Sequence, residues 1–101
     1  MNKEKVKDHS EEEIEPTEEE IKKFLNDILD GKDANLYVLC YSTPDQMLNF
    51  ESLGCPITLS QEEYDAWRKR IIWWATAYAH YGVKVYKLTE KGFSYIWPKK
   101  S

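Results

Sequence analysis

The 101-residue chain holds only two cysteines, four glycines and four prolines. Two cysteines are too few for a disulfide framework. Four isolated glycines form neither a GxGxxG fingerprint nor a phosphate-cradling P-loop. No apolar run approaches the roughly 18–20 residues of a membrane span. The opening residues MNKEKVKDHSEEE contain no apolar segment of the kind a secretory signal needs. The expectation is a cytoplasmic chain with reduced thiols and no contact with a membrane. Metal-ligand spacing is missing too, since Cys40, Cys55, His9 and His80 make no CxxC or HxxxH pattern. Neither a metal nor a cofactor is therefore expected.

Catalytic constellations are equally scarce. Asp45, Glu62 and Glu90 fall at helix caps and turns, where local structure accounts for them. His80 falls near the end of a helix, where a cation complements the helix dipole. A nucleophile pair of Cys55 and His80 would still need an orienting carboxylate and an oxyanion site. No catalytic residue is assigned on these grounds.

The charge that is present is uneven. Residues 1–20 carry three lysines against nine acids, a net −6, whereas the whole chain is −4. The remaining residues are thus close to neutral, at +2. A Glu-rich segment of this kind reads as solvated and disordered. Residues 1–16 are expected to form an acidic tail, and residues 17–101 a single compact domain. A near-neutral body lacks the broad basic field that phosphate binding uses.

Three segments open with the same local chemistry. Thr17-Glu18-Glu19-Glu20, Thr43-Pro44-Asp45-Gln46 and Ser60-Gln61-Glu62-Glu63 all match the capping box, and a glycine follows each at Gly31, Gly54 and Gly82. They predict helices over 18–30, 44–53 and 60–82. In the first, Ile21, Phe24, Leu25, Ile28 and Leu29 make one apolar stripe. In the second, Met47, Phe50, Leu48 and Leu53 would point inward. Asn35 to Tyr41 (NLYVLCY) is a nearly continuous apolar run, as expected of a central strand covered on both faces. Residues 83–89 and 93–97 read as a hairpin turning on Glu90-Lys91-Gly92, with the glycine left-handed. The expected fold is α+β: three helices packed on a small three-stranded antiparallel sheet, in the order α-β-α-α-β-β.

The long third helix concentrates the aromatic residues. Tyr64, Trp67, Ile71, Trp74, Ala75 and Tyr78 follow helical spacing and define a core face. The opposite side carries Asp65, Arg68, Lys69, Ile72, Trp73, Thr76 and His80. Ile72 and Trp73 are out of place on a side that begins with charges. Either another element covers them, or they anchor a partner, since Trp, Tyr and Arg are enriched at interface hot spots.

The leading expectation is a non-catalytic protein–protein interaction module, a small regulator or inhibitor. It would act through Trp67, Arg68, Lys69, Arg70, Ile72, Trp73 and His80, with homodimerisation through the Trp73 side in the same class. A second reading is nucleic-acid-linked. It would use either direct binding through the same Trp, Arg and Lys residues or mimicry of nucleic acid by the acidic tail. A third is a small enzyme built on Cys55, His80 and a carboxylate.

Overall fold

Two of the three capping boxes form helices, and the third forms a hairpin turn. The structure is a computed structural model and describes residues 15–99; the expected tail, residues 1–16, lies almost wholly outside the described residues. Helix α1 spans Glu18–Leu29 and helix α2 spans Gln61–Ala77. At the start of α1 the Thr17 hydroxyl accepts from the Glu20 amide at 3.1 Å, and the Glu20 carboxylate accepts from the Thr17 amide at 2.8 Å. Ser60 and Glu63 repeat the arrangement before α2, at 3.2 and 2.9 Å. The Ser60 backbone N–H that bonds to the Glu63 carboxylate holds that carboxyl below its ordinary range. Helix α2 stops at Tyr78, whose φ of −107° and ψ of 16° leave helical space. A single further turn, α3 (Ala79–Gly82), follows, so the expected continuous helix to Gly82 is broken in two.

The helix expected over 44–53 does not form. The Gln46 amide instead bonds to the Thr43 carbonyl at 2.8 Å and closes a β-turn, with Pro44 and Asp45 at its corners. Hydroxyl-Pro-Asp starts a helix and a turn equally well, because proline's φ suits both. The residues that follow decide, and Leu48-Asn49-Phe50-Glu51-Ser52 alternates with the strand period. This segment is strand β2 (Leu48–Ser52), paired with β1 (Tyr37–Ser42). Of the side chains expected to point inward from a helix here, only Leu53 is buried; Met47, Leu48 and Phe50 are exposed.

The sheet therefore has four strands rather than three. Its order is β2-β1-β3-β4, all neighbours antiparallel, with β3 at Val83–Thr89 and β4 at Gly92–Trp97. A break in register between Val85 and Tyr86 inserts an extra residue on β4, so that Tyr95 pairs with Tyr86 while Trp97 pairs with Val85. The bulge sends Tyr95 and Trp97 to opposite faces, where strict alternation would have kept them together. Gly92 closes the β3–β4 turn with a φ of 103°, the left-handed conformation expected of it.

Both long helices lie on one face. Ile21, Leu25 and Leu29 of α1 and Ile71 and Ala75 of α2 share a core with Leu39 and Tyr41 of β1 and Val83 and Val85 of β3. Phe24 stacks on Trp97 at 4.4 Å between centroids, and Tyr41 stacks between Trp74 and Tyr78 at 5.8 and 5.5 Å. The apolar stripe of α1 and the phase of α2 are as the sequence predicts. The glycine caps are not, since of Gly31, Gly54 and Gly82 only Gly82 has positive φ. Gly54 is required for another reason. A Cβ there would stand 2.9 Å from both Cα and Cβ of Asn35, in the 3-10 turn before β1.

Candidate interaction surfaces

Alternation along four strands places half of their side chains on the face away from the helices. From the pairings, Leu48 and Phe50 of β2 share that face with Val38 and Cys40 of β1, Lys84, Tyr86 and Leu88 of β3, and Phe93 and Tyr95 of β4. Leu48, Phe50 and Phe93 are 62, 61 and 60% exposed and Leu88 is 43% exposed, while Val38 and Tyr86 are half-buried. Val38, Phe50, Tyr86 and Phe93 line a shallow groove of about 390 Å³. Tyr86 and Tyr95 meet edge to face across β3 and β4 at 5.8 Å. The Tyr95 hydroxyl donates to the Pro98 carbonyl. Cys40 is buried among these neighbours, and desolvation pushes its thiol up in pKa despite the opposing field of Lys84. Lys84 is the one charged residue that alternation brings to this face.

The residues singled out on α2 divide into two groups. Arg68 is a structural tie. Its Nε and Nη2 donate to Asn26 Oδ1 at 3.0 and 2.7 Å, and its Nη1 donates to Tyr64 Oη at 3.0 Å. The same guanidinium pairs with Asp30 at 2.8 Å, so one side chain clamps α2 to α1. The hydrogen bond from Arg68 lowers the pKa of Asp30, and the same contact raises that of Arg68. Trp67 and Ile72 are partly buried and pack against the core. Ile72 is thus covered within the chain.

Lys69, Arg70, Trp73 and His80 point outward. Arg70 lies over the Trp74 ring at 5.8 Å. Trp73 is 56% exposed and meets Tyr78 edge-on at 6.0 Å. Tyr78 continues to Tyr81, and Tyr81 to His80 at 4.2 Å. The expected seven-residue face is therefore not one surface. Its outward members form a short aromatic chain where α2 meets α3, with Lys69 and Arg70 beside it on α2.

Cys55 and His80 line separate depressions. Cys55 lies with Leu29, Tyr64 and Trp67, and His80 with Pro16, Val83 and Pro98. The two do not form a pair. Among the described residues no group of three or more His, Cys, Asp or Glu is placed to hold a metal ion. No described helix is long and apolar enough to cross a membrane.

Sequence reasoning missed Phe50, Leu48, Leu88 and Phe93. Two signals pointed to them. One is the period-two run 48–52. The other is the apolar character of both alternating sets in β3, Val83 and Val85 on one side and Tyr86 and Leu88 on the other. Compared with protein-family models, with curated proteins and with solved structures, the chain matches none.

Proposed function

We propose that this chain is a non-catalytic protein-binding module whose docking surface is the open face of its sheet. The observation that carries this is the patch of Leu48 and Phe50 on β2, Leu88 on β3 and Phe93 on β4, joined by the groove that Val38 of β1 and Tyr86 of β3 line between the two phenylalanines. Single exposed apolar residues are ordinary, whereas the largest contiguous apolar patch on a monomer, about 300–600 Å², is often its functional surface. Scaling full side-chain areas by the exposures of these four residues gives about 400 Å². The aromatic chain of Trp73, Tyr78 and Tyr81 is smaller, and its rings already pack on one another. As a regulator or inhibitor the module would act by occupying a partner's surface, with no chemical step of its own.

Selection of displayed peptides on the chain, immobilised at low density, tests the reading. Binders are expected to lose at least about 30-fold in affinity for Phe50→Glu and for Phe93→Glu, the loss of one hot spot. They are expected to tolerate Trp73→Glu. Binders that ignore both sheet substitutions and fail on Trp73→Glu would move the site to the helical side and overturn the assignment.

A further inference from the structure

We infer that the acidic segment ahead of α1, residues 8–14, docks in cis on the outward surface of α2 and α3, against Lys69, Trp73 and Tyr81. This concerns a surface separate from the open sheet face and stands independently of the reading of that face. Residues 8–14 lie outside the described residues. Their composition, the point at which the described chain begins and the charge on the surface beside it carry the assignment.

The described chain begins at this surface. Arg68, in the first half of α2, bonds to Asn26 and pairs with Asp30 at the end of α1. The start of α1 therefore lies beside the end of α2. Glu15 and Pro16, the first described residues, line one depression with Ala79, His80 and Tyr81 of α3. The chain ahead of Glu15 thus departs from the rim of the aromatic series Trp73, Tyr78, Tyr81 and His80.

The charges are complementary. Residues 8–15 read Asp-His-Ser-Glu-Glu-Glu-Ile-Glu, five acids with no lysine or arginine. Residues 66–82 hold Arg68, Lys69 and Arg70 and no acid. Arg68 is committed to Asp30 and Arg70 lies over Trp74. Lys69 is exposed and makes no ion pair with a described residue. Trp73, one helical turn further on, is exposed on the same side. The first turn of α1 is crowded by Glu18, Glu19 and Glu20, so like-charge repulsion turns the segment away from α1 and toward α2.

Reach permits the contact. Seven extended residues span about 23–25 Å, whereas Lys69 stands only about 12 Å of helix rise before Ala77. Glu11 and Glu12 come within side-chain reach of Lys69, with Ile14 left beside Tyr81. Exposed ion pairs are individually weak. The tether compensates, since a short linker holds the segment at an effective concentration on the order of millimolar. The segment is then a built-in competitor for any acidic ligand of this surface.

Nuclear magnetic resonance of the full chain tests this through the Trp73 indole N–H, identified by its loss in Trp73→Phe. At low salt its resonance should differ between the wild type and Glu11→Gln/Glu12→Gln/Glu13→Gln. In about 500 mM salt the wild type should move to the position of the variant. In a Lys69→Glu background the three Gln substitutions should no longer shift it, because the pair they probe is gone. A synthetic peptide of residues 8–15 should bind the three-Gln variant at least about 5-fold more tightly than the wild type, whose site is occupied in cis. A Trp73 resonance that is the same in both chains at low salt, with equal peptide affinity, would overturn the inference. So would a response that grows with chain concentration, which would put the segment on a neighbouring copy. Gln substitutions that shift Leu48 and Phe93 in place of Trp73 would overturn it too, by moving the segment to the sheet face.

Discussion

The two faces of this sheet are made by the same strands and meet opposite fates. On one, Leu39, Val85, Tyr41 and Val83 are buried to 4% exposure or less beneath α1 and α2. On the other, Leu48, Phe50, Leu88 and Phe93 stand largely in solvent although they are as apolar as the first set. A sheet with one dry and one wet face ordinarily alternates apolar with polar residues. Here β1 and β3 carry apolar residues on both sides, and the chain supplies helices for only one. The difference teaches that an uninterrupted apolar strand reports how many faces are to be covered, and leaves open what does the covering.

Substitutions sharpen the contrast, beginning with the largest expected effect. Leu39→Ala opens a cavity under the helices and should cost about 2–5 kcal/mol in denaturant unfolding. A cost below about 1 kcal/mol would mean that the helix-covered face is not the core. Gly54→Ala drives a methyl into the Asn35 backbone and should cost about 1–3 kcal/mol. A neutral result would separate the 3-10 turn from the loop that follows β2. Arg68→Ala removes the clamp between α1 and α2 and should cost about 1–2 kcal/mol, with no effect on peptide binding at the open sheet face.

The acid limb of stability isolates one part of that clamp. Asp30 has a folded pKa below its ordinary one because Arg68 donates to it. Its contribution is complete above the ordinary carboxylate range and is lost as pH falls through the lowered folded value. The gap in unfolding midpoint between wild type and Asp30→Asn should therefore shrink as pH drops below about 4; a gap that widened would reverse the assigned sign. The smallest effect belongs to the open face. Phe50→Ser should change the unfolding free energy of the dilute chain by no more than about 0.5 kcal/mol.

Much of the helix-covered side was legible in the sequence. The stripe Ile21-Phe24-Leu25-Ile28-Leu29, the capping boxes at Thr17 and Ser60, and the phase that buries Ile71 and Ala75 all follow from local rules with a single outcome. Thr43-Pro44-Asp45-Gln46 was ambiguous because helix starts and turns share their opening residues, and taking it as a helix hid both β2 and Phe50. The clamp by Arg68 was not legible, since Asn26 is 42 residues away and the charge pattern alone reads as solvated. Trp73 stands out in the sequence as misplaced on α2, but whether another element covers it was not legible there; it is exposed. Ile72, one position earlier, was not distinguishable from it, yet it packs against the core. The bulge at Tyr86, which decides the faces taken by Tyr95 and Trp97, leaves no mark in residue type.

Hydroxyl-radical footprinting with and without a bound peptide from the selection tests the central claim most directly. The account predicts that in the free chain Phe50 and Phe93 are oxidised freely, as exposed rings are, while Tyr41 is protected. With the peptide bound the two phenylalanines should become protected and Trp73 should not. Protection of Phe50 and Phe93 in the free chain, or protection of Trp73 in their place on binding, would contradict it.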